Sequence, residues 1–131
     1  MDDTEKPFGE VIHSYTRSQA IEDGVLVEVS EMGREAGFRF PVALTSAVWE
    51  KYVEVPHGVA GQDLLGRLWD LLYMFRISIR NSRYMDDEIE FKLHVRNDNL
   101  DRVPPLITLK GVFGYGDKNE PVITIMLLEE D

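Results

Sequence analysis

Residues 62–80, QDLLGRLWDLLYMFRISIR, constrain the fold more than any other stretch of this chain. Large apolar side chains recur there at steps of three and four residues, which is the spacing of a helix with a broad buried side. The predicted buried stripe consists of Leu64, Leu65, Leu68, Trp69, Leu71, Leu72, Phe75 and Ile79. Because so apolar a helix is stable in water only when it is covered, the other elements must pack around it.

The last third of the chain changes from the helical period to the alternation of strands. Residues 89–96 alternate apolar and polar side chains, as in a half-buried strand. Residues 106–113 predict a second strand, residues 114–119 a turn-rich connector, and residues 122–128 a strand that is apolar on both faces. We therefore predict an α+β fold, in which a C-terminal antiparallel three-stranded meander packs against the long apolar helix and the shorter N-terminal helices on one face.

The first short helix and a short strand precede this core. Thr16 and Gln19 have the spacing of a capping box, and Gly24 follows where a left-handed C-terminal cap belongs. Residues 25–29 then form a short apolar strand, which could add a fourth, edge strand to the sheet.

Two further helical segments lead to the long helix. The second runs over residues 30–37, where Ser30 can cap it and Gly37 can end it. The third runs over residues 41–54, with Thr45 or Ser46 as its N-cap.

Length and composition limit the organisation of the chain. A chain of 131 residues fits one domain, so we expect an acidic, disordered lead over residues 1–7 and a single domain over residues 8–131. The sequence has no cysteine, which excludes disulfides and thiolate chemistry. No apolar run approaches the roughly 20 residues of a membrane span, and the N-terminus lacks the pattern of a secretory signal. We therefore expect a cytoplasmic protein.

The formal net charge of −10 is the strongest global feature. It argues against a nucleic-acid binder, which normally carries a basic face, and favours attraction to basic protein surfaces or mimicry of a polyanion. The plainer interpretation is that acids simply cover a solvated surface. The candidate partner-binding residues are Glu22, Asp23, Asp86, Asp87 and Glu88. We expect their partner to be a basic protein surface, with neither nucleic acid nor a membrane bound directly.

A basic stripe is the exception to the acidic character. Arg76, Arg80 and Arg83 follow one another on the polar flank of the long helix towards its carboxyl end, where cations suit the helix dipole. These arginines could contact phosphate. Pairing with acids inside the fold or in a second subunit is the interpretation that we favour.

No catalytic or metal-binding pattern emerges. The histidines, His13, His57 and His94, are scattered without metal-ligand spacing. The paired acids could serve acid–base chemistry or a hard cation, but such pairs are more often solvated charge. Glycines 111, 114 and 116 lie between two predicted strands, which indicates a hairpin rather than a phosphate loop. We expect no catalytic residue, no metal and no cofactor.

Four segments carry a resemblance to a known group of proteins. FGEVIHSYTRSQAIEDGVLVEVS, GFRFPVALTSAVW, GRLWDLLYMFRISIR and EPVITIMLLEED resemble a family of small uncharacterised bacterial proteins often carried on phages, plasmids and integrated elements. The resemblance implies an accessory gene of a mobile element and supplies no catalytic residues. Small acidic proteins in that setting include inhibitors of restriction and CRISPR defence, several of which mimic DNA. The resemblance, together with the acidic composition, therefore implies a non-enzymatic, anti-defence protein that binds a host defence complex.

Two other functions stay open at this point. One is a small enzyme or ligand-binding domain with a pocket between helices and sheet. Its candidate lining residues are Tyr15, Arg17, Trp49, Trp69 and Tyr73. The other is a homodimer that completes its core through the apolar helix or the last strand.

Overall fold

The computed structural model describes residues 15–82 and 86–131. These residues form an α+β fold built on one mixed sheet. The elements in chain order are α1 Arg17–Glu22, β1 Leu26–Glu28, α2 Ser30–Glu35, β2 Val42–Thr45, α3 Ser46–Val48, a π-helical turn at Trp49–Val53, α4 Leu64–Asn81, β3 Glu88–His94, β4 Leu106–Tyr115 and β5 Pro121–Leu127. The predicted lead over residues 1–7, His13 and Arg83 lie outside the described residues.

The five strands stand in the order β1-β2-β5-β4-β3. The predicted meander is present, because β4 pairs antiparallel with both β3 and β5. The predicted edge strand is also present, as β1 at the far side. The sheet is nevertheless larger than predicted, because β2 lies between β1 and β5 and runs parallel to β5.

The prediction of a helix from residue 41 onwards was wrong for β2. All four residues of Val42–Thr45 are buried, and the strand they form lies between β1 and β5, a position that suits a segment apolar on both faces. Helical structure begins only at Ser46, where the Thr45 hydroxyl accepts a hydrogen bond from the Val48 amide at 3.3 Å. The predicted N-cap at Thr45 is therefore confirmed, although the helix it begins is shorter than expected.

α4 covers one face of the sheet, and Phe75 stands at the centre of the contact. Its ring lies 4.9 Å from that of Phe91 and 6.1 Å from that of Phe113, centroid to centroid. Phe38 stacks on it from the α2–β2 connection at 5.8 Å. Residues of odd number on β3 and β4 therefore face α4, and their even-numbered neighbours face the opposite side.

The predicted stripe of α4 is confirmed at its centre and wrong at one flank. Four of its residues are buried, namely Leu68, Leu71, Leu72 and Phe75. Leu65 and Trp69 are instead 61% and 37% exposed. Successive residues of a helix are 100° apart, which directs these two side chains away from the centre of the buried side. The sheet contacts that centre and does not cover them.

Arg67 takes a buried place on α4 that the sequence did not indicate. Its guanidinium group donates hydrogen bonds to the Val53 carbonyl, the Arg96 carbonyl and the Asn97 side-chain oxygen. Burial lowers the pKa of Arg67. This side chain therefore joins α4 to the end of the π-helical turn and to the end of β3.

α1 lies on the opposite side of the sheet from α4, so the prediction of helices on one face was wrong for this helix. Arg17 donates to the Thr124 hydroxyl at 2.7 Å and to the Ile123 carbonyl at 2.8 Å. Thr124 faces away from α4, because its neighbours Ile123 and Ile125 are in the core under that helix. The capping box of Thr16 and Gln19 is present as predicted.

The described residues contain no helix with both the length and the apolar character that a membrane span requires.

Candidate functional site

Four charged side chains line an open groove of about 350 Å³ between α1, β1 and the β4–β5 turn. They are Arg17, Glu28, Asp117 and Glu120. Three carboxylates thus surround one guanidinium, and the groove carries a net negative charge. Such a groove suits a cationic side chain, because charged donors form the strongest hydrogen bonds to carboxylates.

Asp117 fixes α1 to the turn that follows β4. Its two carboxylate oxygens accept hydrogen bonds from the amides of Arg17 and Ser18, at 2.8 and 2.9 Å. These are amides of the first helical turn, which have no partner inside the helix, and the helix dipole also favours a negative charge there. The floor of the groove is therefore set by a contact across about 100 residues of sequence.

Hydrogen bonds also position the other two carboxylates. Glu120 accepts from the Lys118 amide at 2.9 Å. It packs so close to Gly116 that a Cβ at that glycine would lie 2.4 Å from its Oε2. Glu28 accepts from the Ser30 hydroxyl, which in turn accepts from the Val42 amide at 3.0 Å.

The guanidinium of Arg17 is held by the sheet rather than by the acids. Its donors bond to Thr124 and Ile123, and no carboxylate within the described residues forms an ion pair with it. Burial lowers the pKa of Arg17, while the negative charges of Glu28, Glu120 and Asp117 act in the opposite direction. The carboxylates therefore keep part of their capacity for an external cation.

Of the predicted partner-binding residues, Glu22 and Asp23 are exposed at the carboxyl end of α1. Asp23 accepts a hydrogen bond from the Tyr15 hydroxyl at 2.7 Å. This bond is the main reason why the pKa of Tyr15 is raised.

The other predicted residues, Asp86, Asp87 and Glu88, are exposed where β3 begins. Glu88 makes an ion pair of 3.7 Å with Lys110, whose side chain is nearly buried. The register places Glu88 and Glu28 at opposite ends of one row across all five strands. At a strand spacing of about 4.8 Å, roughly 19 Å separates the two ends. The acidic residues therefore form two regions, one at each edge of the sheet.

The described part of the basic stripe consists of Arg76, which is half-buried, and Arg80, which is exposed. The Arg76 guanidinium covers Gly37, where a Cβ would lie 2.6 Å from its Cζ. Among the described residues, neither Arg76 nor Arg80 has a carboxylate within ion-pair distance, so the structure gives no internal partner for these two arginines.

The remaining candidate chemistry is dispersed. His57 is exposed before Gly58, and the His94 Nδ1 lies 2.7 Å from the Pro104 carbonyl, to which it donates. Within residues 15–82 and 86–131, no three acidic or histidine side chains stand close enough to hold a metal ion.

The residues of the pocket hypothesis do not meet in one cavity. Trp69 and Tyr73 stack on the outer side of α4, with ring centroids 6.1 Å apart, and both are exposed. Arg17 lies across the sheet from them, and Tyr15 is 57% exposed.

Sequence reasoning did not identify the groove formed by Glu28, Asp117 and Glu120. Glu28 comes from β1, and Asp117 and Glu120 come from the β4–β5 turn, about 90 residues further along the chain. The segments meet because the sheet places β1 two strands from β5 and because Asp117 pairs with the start of α1.

Comparison with family models matches residues 7–131 to a "Family of unknown function (DUF6573)". No curated protein and no solved structure matches the chain. The expected resemblance to an uncharacterised family is thereby confirmed over nearly the whole chain.

Proposed function

Because the chain belongs to this family of unknown function, we propose a function from the geometry: a non-enzymatic module that binds a basic surface of another protein. The observation that carries the proposal is the groove of Arg17, Glu28, Asp117 and Glu120. Three carboxylates are held there by hydrogen bonds around a guanidinium whose donors point into the sheet. An arginine or lysine of the partner would add the missing positive charge.

The acidic regions at the two edges of the sheet extend this surface. Glu22 and Asp23 lie at the end of α1, beside the groove, and Asp86 to Glu88 stand at the opposite edge. Two negative regions on one small molecule would steer it towards a basic partner and make the association weaken with salt.

The finer proposal concerns the partner. A groove that binds nucleic acid is lined with lysine and arginine, and a protein of net charge −10 is suited to occupy it. We propose that the chain is an accessory protein of a mobile genetic element and inhibits a host nucleic-acid-directed defence complex, as antirestriction and anti-CRISPR proteins do. Net charge and the paired acidic regions support this proposal.

The test compares two variants that remove the same amount of charge. Glu28→Gln with Glu120→Gln neutralises the groove, and Glu50→Gln with Glu54→Gln neutralises two exposed acids elsewhere. Each tagged protein captures partners from host lysate at low and at high salt, and the retained complex is then assayed for nucleic-acid binding. We expect the wild type and the control to retain a nucleic-acid-binding protein and inhibit it at low salt.

The groove variant should lose at least about tenfold in affinity, because it removes two charge-assisted contacts. Circular dichroism checks that the groove variant is folded. Equal retention by the groove variant and the control would refute the groove as the site. Failure of the wild type to retain or inhibit any nucleic-acid-binding protein would refute the proposed function. Reversing the charges of Asp86, Asp87 and Glu88 tests the second acidic region in the same assay and should slow association.

A further inference from the structure

β3 is the outermost strand of the sheet on the side of α4, and its outer edge carries unused hydrogen-bonding groups. The Asp87 carbonyl accepts from the Phe113 amide, and the Val95 amide donates to the Pro105 carbonyl. Odd-numbered residues of β3 therefore bond to β4, and the backbone groups of the even-numbered residues point outwards. Within the described residues, no hydrogen bond is made to these outward groups. An open strand edge is a template for another strand.

The edge is also accessible along its whole length. A groove of about 400 Å³ runs between the end of α4 and the first half of β3, from Asp86 to Glu90. A second groove of about 410 Å³ lies between Asp70, Tyr73 and the second half of the strand, from Lys92 to His94. α4 therefore does not seal the edge, and a further strand can approach it.

The outward residues of this edge are acidic before Phe91 and begin with a lysine after it. The outward residues are, in order, Glu88, Glu90, Lys92 and His94, and all four side chains are exposed. A two-fold axis at Phe91 would set Glu90 of one chain opposite Lys92 of another, and Glu88 opposite His94. Each of these contacts would occur twice, as in any interface of this symmetry.

Other antiparallel registers that use the same outward groups form like-charge pairs or lose the Glu90–Lys92 pairs, although an axis at Glu90 does set Glu88 opposite Lys92. An axis at Glu90 sets that residue against its own copy, and an axis at Lys92 does the same for the lysine. An axis at Ile89 sets Glu88 opposite Glu90, and an axis at Leu93 sets Lys92 opposite His94 and no longer opposite Glu90. Like charges directly opposite each other destabilise a strand pair, so charge favours the register at Phe91, in which both Glu90–Lys92 pairs form and no like charges face each other.

We propose that the occupant of this edge is a second copy of the same chain. The two β3 strands pair antiparallel about Phe91 and join two five-stranded sheets into one continuous sheet. Glu88 and Lys92 already contact Lys110 and Thr108 of their own chain. These contacts leave a carboxylate oxygen and ammonium donors for the second copy. This interface is separate from the groove beside α1 but includes Glu88 of the second acidic region. Its test therefore changes Glu90 and Lys92 and measures mass without a partner, so that its failure is distinguishable from failure of the proposed function.

The experiment measures the mass of the full chain by light scattering after size-exclusion chromatography, over a range of micromolar to millimolar concentrations. We expect a dimer for the wild type. Glu90→Lys places two lysines opposite each other, and Lys92→Glu does the same with two glutamates. Each single variant should dissociate at least about tenfold more readily than the wild type.

Charge exchange supplies the decisive controls. The double variant Glu90→Lys/Lys92→Glu restores opposite pairs and should dimerise again. An equimolar mixture of the two single variants should form a heterodimer, because every contact is then complementary. Glu50→Lys, which changes the net charge as much as Glu90→Lys, should dimerise like the wild type. A wild type that stays monomeric overturns the proposal, as do single variants that dimerise normally or a mixture that does not associate.

Discussion

At the scale of single residues, the contact between Gly111 and Phe75 decides how closely α4 approaches the sheet. The Phe75 ring occupies the space above Gly111, and a Cβ at that glycine would lie 2.0 Å from its Cζ. The Phe75 ring cannot move aside for such a Cβ, because it is fully buried and packs against Phe91 and Phe113. The absence of a side chain at one position of β4 therefore admits the largest fully buried side chain of the core.

We predict that Gly111→Ala lowers the free energy of unfolding by about 3 kcal/mol or more, because the ring and the strand must move apart. Gly114→Ala, on the same strand with nothing within 4 Å of its Cβ, should change the free energy of unfolding by less than about 0.5 kcal/mol. Urea denaturation followed by circular dichroism measures both. Similar midpoints for the two variants would contradict the tight contact.

At the scale of elements, Arg67 holds three segment ends together. It lies on α4 and donates to the last residue of the π-helical turn, Val53, and to Arg96 and Asn97 just beyond β3. Asn97 in turn donates to the Lys51 carbonyl at 2.8 Å. Carbonyl groups at the ends of elements lack partners inside those elements, so one guanidinium satisfies several of them at once.

Arg67→Met should lower the free energy of unfolding by about 3 kcal/mol, since it leaves buried carbonyls without a donor while preserving most of the apolar stem. The matched control is Arg102→Met, whose side chain is exposed. Chemical denaturation of both variants checks this expectation. Equal stability of Arg67→Met and the wild type would show that water replaces the guanidinium without cost.

At the scale of the whole molecule, the net charge of −10 opposes the folded state. Acids at both edges of the sheet repel one another across the domain, and the only ion pair recorded among the described residues joins Lys110 to Glu88. Long-range repulsion between exposed charges is screened by salt.

Potassium chloride should therefore raise the melting temperature at neutral pH, by about 3 °C between low ionic strength and 0.3 M. The control is the same titration near the sequence isoelectric point of about 4.7, where net repulsion vanishes and the effect of salt should be small. Differential scanning calorimetry at fixed protein concentration makes the comparison. A melting temperature that falls with salt at neutral pH would mean that attractive charge pairs dominate.

Local pattern was sufficient for much of the fold. The period of α4, the alternation along β3, the capping box at Thr16 and the positive φ of Gly24 all depend on neighbours within about four residues, so their residue types indicate them directly. The candidate groove could not be predicted in this way. Its acids meet because strand pairing brings β1 near β5 and because Asp117 accepts hydrogen bonds from the first amides of α1.

The sequence by itself determined that α1 and α4 are helical, that β3, β4 and β5 are extended, and which side of α4 is most apolar. The tertiary structure alone decided that Val42–Thr45 is a strand, because its place between β1 and β5 depends on pairing with residues about 80 positions away. It also decided that Leu65 and Trp69 are exposed and that Arg67 is buried. Burial depends on what packs against a surface. The helical period specifies the direction in which each side chain points but not which other element lies in that direction.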